Sequence, residues 1–307
     1  MAGRRESHPD SLQVLFQRLT PMLSSCPVCR ANSLGFSHPI RIRTYLYKTC
    51  ESCASYFLDP LPSDSEIEAF YSDSGYFYDL YGDYYFSTPK ARYKNFNRWF
   101  RWIEPRLSSR DLRIVEIGSG SGAFLQVLRD RGYTNFAGFE MNASAILECE
   151  KQNLPVAPQD LFSREKEIDA LFIFDVIEHV TKPEDFLDSI RQRLKQGGLL
   201  VVATSCNQRI ASRILGRFWW FLIPPNHTII YNTKSLKHLL TRMGYRVIRS
   251  FQINYEWLSF NNGIAKVWNR FPLFRLRDNK LLHWTRNLVL PFFHFTSFLM
   301  IAQKEEL

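Results

Sequence analysis

The sequence predicts an α/β fold in which a largely parallel, doubly wound sheet carries helices on both faces. From residue 112 onward, short apolar runs that suit strands alternate with amphipathic runs that suit helices. The first of these apolar runs ends in a turn with three glycines, Gly118, Gly120 and Gly122, directly before a helical run. Glycine adopts positive φ and has no side chain, so this turn lets a ligand approach the backbone closely.

Seven predicted strands and four predicted helices make up the alternating region. The strands span 112–117, 136–139, 155–157, 168–174, 199–203, 246–251 and 298–302. The helices span 123–131, 143–152, 183–194 and 235–243. Upstream, Ser63 and Glu66 form a predicted capping box, residues 71–86 form a predicted aromatic loop, and Pro89 begins a predicted helix that ends at residue 103.

Composition is typical of a globular protein with anionic partners. The chain has 307 residues, of which 45% are hydrophobic and 22% charged, enough for a full core. The net charge of +9 favours phosphates, nucleic acid or anionic lipid. No secretory signal is visible, and the longest apolar run, 288–302, is shorter than the roughly 18 residues that a membrane-spanning helix needs. We expect a cytoplasmic protein, and its basic charge allows a peripheral position at the inner membrane surface.

The glycine turn by itself leaves two classes of cofactor open. Gly118, Gly120 and Ala123 fit the dinucleotide pattern, and an acid follows about twenty residues later, as that pattern requires. Gly122 makes the turn tighter, and Glu116 places an acid where a cationic ammonium group fits. A second acidic segment after the fourth strand adds to the case for a cationic cofactor.

The segment from Glu116 to Gly122 resembles the first motif of class I S-adenosylmethionine-dependent methyltransferases. Glu140 is similar to the acid that binds the ribose hydroxyls, and Asp160-Leu161 to the pair beside the adenine. Residues 174–180 resemble the corresponding segment of methyltransferases similar to the ubiquinone-biosynthesis O-methyltransferase and the type 11 and type 23 families. The resemblance, over about residues 110 to 304, implies a Rossmann-like seven-stranded sheet. It also implies an S-adenosylmethionine site made of Glu116, Gly118, Ser119, Gly120, Gly122, Glu140, Met141, Asp160, Leu161, Asp175 and Val176.

Two histidines are the predicted catalytic residues. Methyl transfer from a sulfonium needs in-line positioning, and a base if the acceptor is a hydroxyl or an acidic carbon. His179 follows the fourth strand, at the sheet edge where such folds bind ligands, and His227 lies in the loop after the fifth strand. The alternatives are that both histidines are structural, or that Glu178 and His179 hold a divalent ion, as in some relatives.

Four of the six cysteines form two C-x-x-C pairs, Cys26 with Cys29 and Cys50 with Cys53, with twenty residues between the pairs. This spacing is typical of zinc sites, and four thiolates make a closed, structural site. Disulfides or reduced core cysteines are the alternatives. A Cys-rich N-terminal module before a methyltransferase core resembles some methyltransferases of sugar and surface-polysaccharide pathways.

Residues 255–295 are predicted to be a helical insertion between the last two strands, because aromatic and basic residues are interspersed there. Such a segment is able to rest on a membrane surface or bind a lipid-linked substrate, and Trp219 and Phe221 are candidates for the same face. The alternative is a helical subdomain that packs on the core. Likewise, the tyrosines of 71–86 either form a lid over the ligands or pack between modules.

These observations predict three regions: an N-terminal zinc-ribbon module with four cysteine ligands at 1–60, a helical and aromatic linker or lid at 61–110, and a class I methyltransferase domain at 111–307. The expected function is methylation, at oxygen or carbon, of a small-molecule or glycan-precursor acceptor, either a sugar nucleotide or a lipid-linked molecule. The alternatives are an RNA-directed methyltransferase and a non-catalytic S-adenosylmethionine-binding protein. The net charge allows the first, but the sequence lacks the base-amine methylation signature that would support it. The sequence does not predict an oligomeric state.

Overall fold

The computed structural model describes residues 22–63, 65–67, 89–207, 215–219, 221–259 and 289–306. Within these ranges the chain forms two sheets and five α-helices. The predicted aromatic loop at 71–86 and most of the predicted insertion, 260–288, lie outside the described residues.

The larger sheet has seven strands in the spatial order β10-β11-β8-β7-β4-β5-β6. Its strands are β4 (Ile114–Ile117), β5 (Phe136–Glu140), β6 (Val156–Pro158), β7 (Ile168–Phe174), β8 (Leu194–Ser205), β10 (Tyr245–Ser259) and β11 (Val289–Lys304). Strands β6, β5, β4, β7 and β8 are mutually parallel, whereas β11 is antiparallel to both β8 and β10. The carboxyl ends of the five parallel strands therefore meet at one edge, where such folds bind ligands.

Helices cover both faces of this sheet, as the alternating pattern predicts. They are α1 (Pro89–Ile103), α2 (Ala123–Asp130), α3 (Ala143–Lys151), α4 (Pro183–Arg193) and α5 (Thr233–Arg242). Successive strand residues point to opposite faces, so Ile114 packs with α1 and α2, while Val115 packs with α4 and α5. On the α1 face, the rings of Phe96, Phe124 and Phe174 lie within 6 Å of one another and close that layer of the core.

The smaller sheet joins the cysteine-rich segment to a much later part of the chain. Strands β1 (Phe36–Ile42), β2 (Tyr45–Cys50) and β3 (Tyr56–Leu58) form an antiparallel meander. The fourth strand, β9 (Ile229–Ile230), pairs with β3 and comes from the segment just after His227. The segment that carries the cysteines, 22–58, is therefore built into the α4–α5 face of the protein.

The two ends of the predicted helical insertion are strand. Residues 255–259 continue β10 and residues 289–295 belong to β11, with Leu258 paired to Leu290. Burial alternates from residue to residue in this part of β10: Glu256 and Leu258 are buried, whereas Tyr255 and Trp257 are only partly covered. The residue types do not show this alternation, because aromatic and charged residues occur at neighbouring positions. A helical period was therefore the wrong interpretation of these flanks.

Trp219 also differs from its predicted place on a membrane-facing surface. Its ring is fully buried in a cluster with Tyr45, Tyr47 and Leu222, so it contributes to the core instead. Among the described residues, no helix combines the length and the apolar character needed to cross a membrane.

Candidate functional site

The glycine turn follows β4 and leads directly into α2. Gly118, Gly120 and Gly122 have φ values of 76°, 51° and 76°, a region that favours glycine. A Cβ on Gly118 would lie 2.5 Å from Cγ2 of Val176, and one on Gly122 would lie 2.5 Å from Cδ1 of Leu154. Both the backbone conformation and the close packing therefore require these glycines.

Glu140 ties the end of β5 to this turn. One carboxylate oxygen accepts a hydrogen bond from the amide of Gly120 at 2.7 Å. The other accepts from the amides of Met141 at 2.8 Å and Asn142 at 2.9 Å. Three backbone donors fix the carboxylate at the edge of the sheet.

Glu116 lies beneath the turn and is almost completely buried, with 1% of its surface exposed. Burial raises the pKa of this carboxyl well above its usual value; the charge of Arg92 opposes the shift and that of Glu140 adds to it. Within the described residues, Oε2 of Glu116 has no hydrogen-bond partner. A buried acid of this kind is costly in the empty protein and fits a ligand that brings a positive charge.

The other predicted cofactor residues lie at the same edge of the sheet. Asp160 is exposed and Leu161 half-buried in a 3₁₀ helix after β6, while Ser119 is buried in the turn and Met141 is 54% exposed. Asp175 directly follows β7 with a φ of 54°, and Val176 packs against Gly118 as described above. The structure thus brings the predicted cofactor residues together after strands β4, β5, β6 and β7.

A cluster of three side chains lies past the end of β7. His179 and the buried Glu178 belong to a short 3₁₀ helix, Ile177–His179, while His227 comes from the segment before β9. The two imidazole centroids are 4.9 Å apart, and metal-ligating atoms of all three residues lie within 4.8 Å of one another. The structure therefore places the two predicted catalytic histidines side by side.

The hydrogen bonds of the two histidines define their tautomers. Nδ1 of His179 lies 2.9 Å from the carbonyl oxygen of Asn226, and Nδ1 of His227 lies 2.7 Å from that of Phe221. A carbonyl only accepts, so each Nδ1 carries a proton, and a ring in its neutral form then keeps a lone pair on Nε2. Burial lowers the pKa of His179, against the opposing effect of hydrogen bonds to Asn226 and to the backbone of Asp175, and so favours the neutral form of this ring. Each Nε2 is a nitrogen suited to accepting a proton or ligating a metal.

Glu178 was not among the predicted catalytic residues, although its position beside His179 was the one available signal. Burial, and then the charge of Asp175, raises the pKa of Glu178 to about 8. Its Oε2 is buried without a hydrogen-bond partner among the described residues. Burial of a single carboxylate depends on tertiary packing, which residue spacing does not reveal.

The four predicted zinc ligands also come together. The Sγ atoms of Cys26 and Cys53 are 3.7 Å apart, those of Cys29 and Cys50 are 3.6 Å apart, and all four lie within 4.8 Å of one another. None of them forms a disulfide. Four thiols in a closed group fit a tetrahedral Zn²⁺ ion, for which sulfur ligands lie about 2.3 Å from the metal.

The sequence and the fold both resemble known methyltransferases. A family described as a methyltransferase domain matches residues 91–250, just over half of the chain. The tRNA U34 carboxymethyltransferase of Pseudomonas paraeruginosa is 25% identical over 184 residues, which are 57% of this chain and 56% of that protein. EEF1A lysine methyltransferase 2 of Danio rerio is 25% identical over 134 residues, which are 37% of this chain and 56% of that protein. The chain thus spans about half the length of these curated relatives.

Among solved structures, magnesium protoporphyrin IX methyltransferase from Synechocystis PCC 6803, with bound SAH, superposes with a TM-score of 0.52 at 13% identity, covering 79% of this chain and 100% of that one. A putative methyltransferase from Bacillus halodurans C-125 gives a TM-score of 0.50 at 12% identity, covering 67% of this chain and 98% of that one. These similarities show the Rossmann-like α/β fold. With the family match, they establish that this chain belongs to the methyltransferase-domain family of class I S-adenosylmethionine-dependent methyltransferases.

Proposed function

We propose that this protein transfers a methyl group from S-adenosylmethionine to oxygen or carbon of a small-molecule or glycan-precursor acceptor. The observation that carries the proposal is the buried Oε2 of Glu116 under the glycine turn, which has no hydrogen-bond partner in the part of the chain that the structure describes. A cationic methionine ammonium group would supply the missing partner. A pyrophosphate would instead face an acid at this position, which argues against the dinucleotide alternative.

On the cofactor side, the chain supplies binding and orientation. Glu116 would hold the ammonium group, Glu140 the ribose hydroxyls, and Asp160 with Leu161 the adenine. Gly118 and Gly120 keep the turn open to the ligand, since a side chain on Gly118 would collide with Val176. When bound, S-adenosylmethionine supplies a methyl group on a positively charged sulfur.

On the acceptor side, the lone pairs on Nε2 of His179 and His227 suit a general base that removes a proton from the acceptor. The carbonyl oxygens of Asn226 and Phe221 hold the two rings in that tautomer. Glu178 lies beside them, and its raised pKa keeps part of its population protonated near neutral pH.

Two observations bear on the class of acceptor, namely the relatives and the net charge. The relatives that the chain matches are named for tRNA and protein-lysine substrates, and the net charge of +9 suits a polyanion. We favour a phosphate-bearing small acceptor, such as a sugar nucleotide or a lipid-linked sugar, because it also satisfies the charge and because the Cys-rich module resembles sugar methyltransferases.

The experiment is calorimetry with S-adenosylhomocysteine, followed by mass spectrometry of reactions with nucleotide sugars, lipid-linked sugars and tRNA. We expect S-adenosylhomocysteine binding and a mass increase of one methyl group on a sugar acceptor. Salt-dependent tRNA binding with methylated tRNA would replace our acceptor class by RNA. An absence of cofactor binding would leave only the non-catalytic alternative and would overturn the proposal.

A second role for the acceptor-side cluster has its own support. When histidine ligates a metal, it commonly donates its other ring nitrogen to a carbonyl, the arrangement that both histidines show here. Two imidazoles and a carboxylate suit zinc, manganese or iron. Equilibrium dialysis of the zinc-loaded protein against Mn²⁺ tests this role: a further equivalent, lost in His179→Ala, would support it, and no further equivalent would leave the base role alone.

A further inference from the structure

We propose that the cysteine quartet is a positioning element of the acceptor side: metal bound by its thiols holds His227 and the segment 226–232 in place. The proposal rests on the proposed function only in taking His227 as an acceptor-side residue. The metal would thus have a role beyond stabilising the segment that carries the cysteines, residues 22–58, which is called the knuckle from here on.

The first link is the sheet that the knuckle shares with the segment after His227. Phe57 pairs with Ile229, and the amide of Leu58 donates to the carbonyl oxygen of Thr228 at 2.9 Å. Strand β3 begins at Tyr56, three residues after Cys53. A shift of the second cysteine turn, which carries Cys50 and Cys53, therefore moves the strand with which residues 228–230 are paired.

The second link is a direct contact with the histidine residue. The buried hydroxyl of Tyr47 donates to the backbone carbonyl oxygen of His227 at 2.5 Å. Tyr47 lies three residues before Cys50 on β2. Since the amide of His227 donates to the carbonyl oxygen of Ile223 at 2.9 Å, both peptide groups of this residue are held.

The third link runs from the second cysteine turn itself. Nδ2 of Asn232 donates to the carbonyl oxygen of Cys53 at 2.8 Å, and Nδ2 of Asn207 donates to that of Ala54 at 2.6 Å. Asn232 also caps the start of α5, where its Oδ1 accepts from the amide of Ser235 at 2.9 Å. One asparagine thus joins the metal-binding turn to the end of the acceptor segment.

The first cysteine turn, which carries Cys26 and Cys29, is bonded to a different part of the protein. Nη2 of Arg242, at the end of α5, donates to the carbonyl oxygen of Val28 at 2.8 Å, and Glu184 of α4 forms ion pairs with both Arg242 and Arg30. A metal that joins the two turns therefore connects the helices α4 and α5 with the segment 226–232. The hydrogen bonds that tie the glycine turn to other elements run instead to Phe139 and Glu140 of β5 and to Cys149 of α3.

The test is hydrogen–deuterium exchange by mass spectrometry on the full chain and on its His179→Ala variant, which lacks the second candidate metal site, each loaded with zinc and then stripped by a chelator. We expect exchange of the knuckle and of 226–232 to rise by about tenfold or more after stripping, because local opening exposes amides that are otherwise bonded. Exchange at 116–122, and the affinity for S-adenosylhomocysteine, should change by less than about twofold on the same scale.

Increased exchange confined to residues 22–58 would overturn the proposal, as would a protein that takes up no zinc on titration. If the loaded protein bound zinc but not S-adenosylhomocysteine, the proposed function would fail while this inference stood. Equal loss of cofactor binding and acceptor-segment protection on stripping would also overturn it, because the effect would then be general unfolding.

A single substitution tests the same coupling without removing the metal. Tyr47→Phe deletes the hydroxyl that donates to His227, and we expect faster exchange at 226–228 with zinc content unchanged. Tyr231→Phe is the matched control, since its buried hydroxyl has no hydrogen-bond partner among the described residues. Equal exchange in the two variants would show that Tyr47 does not position His227.

Discussion

The proposed cofactor side of the sheet edge, at the glycine turn and Glu140, and the proposed acceptor side, at His179 and His227, are built in opposite ways. On the cofactor side, Gly120 and Glu140 are joined by a hydrogen bond across 20 residues of chain. On the acceptor side, His179 contacts Asn226 across 47 residues, and Tyr47 contacts His227 across 180. A short βαβ unit thus forms the first, whereas the second requires that distant parts of the chain fold together.

Both sides bury a carboxylate, but each has a different neighbour. Glu116 lies near Arg92, which opposes the rise of its pKa, whereas Glu178 lies near Asp175, which increases it. The first acid is suited to bind a cation. The second is suited to hold a proton near neutral pH or to ligate a metal. If the two sides are independent, a substitution on one side leaves the properties of the other unchanged.

Gly120→Arg should abolish S-adenosylhomocysteine binding while zinc remains bound. The new side chain would occupy the turn at a φ of 51°, which non-glycine residues rarely adopt. Calorimetry and metal analysis measure the two outcomes. Gly35→Arg is the control, because a Cβ at Gly35 meets nothing within 4 Å. Normal cofactor binding by Gly120→Arg would show that the site is elsewhere.

His227→Ala should lower kcat by about 10² to 10⁴, the usual contribution of a general base. The affinity for S-adenosylhomocysteine should stay the same, because the ring lies on the acceptor side. Once an acceptor is identified, initial rates and calorimetry give the two values. His238→Ala, on α5, is the control. If His227→Ala kept full kcat with every active acceptor, its predicted catalytic role would be wrong.

Glu116→Gln should weaken S-adenosylmethionine binding and yet stabilise the empty protein. Because the folded-state pKa is raised, the relative stability that Glu116 gives is complete below its ordinary pKa near 4.5 and is lost as pH rises toward the folded value. The variant should therefore gain about 1–3 kcal/mol in unfolding free energy at pH 8, and much less at pH 4. Denaturant titrations at the two pH values measure this difference. An equal change in unfolding free energy at the two pH values would mean that burial does not disfavour the ionised form of the Glu116 carboxylate.

Arg30→Ala should have the smallest effect, below about 1 kcal/mol in unfolding free energy, because its ion pair with Glu184 is solvent-exposed. The Arg30 side chain is 62% exposed, and Arg242 still pairs with Glu184 in the variant. Thermal unfolding at low and high salt is the measurement. A loss of several kcal/mol would show that the turn carrying Cys26 and Cys29 depends strongly on this ion pair.

The cofactor side could be predicted from the sequence because its residues are close along the chain. Glu116 and Glu140 lie at the carboxyl ends of strands that the hydrophobic pattern identifies, and the glycines directly follow the first of these strands. Parallel strands bring their carboxyl ends to one edge of the sheet. The adjacency of His179 and His227 depends on contacts between segments far apart in the chain, such as the hydrogen bond from the amide of Thr228 to the carbonyl oxygen of Glu178, and no local pattern reveals such contacts. The ends of the insertion were misassigned because the covered and exposed positions of β10 both carry aromatic or charged residues.

The two partners of the Tyr47–His227 hydrogen bond are also made at different times during synthesis. At about 5–20 residues per second, the 180 residues that separate the two partners take a ribosome roughly 10 to 40 s to translate. All four thiols emerge before β9 and α5 exist, so the knuckle leaves the ribosome without the segments against which it packs. Its docking onto those segments is therefore a separate and later event than the synthesis of the four cysteines.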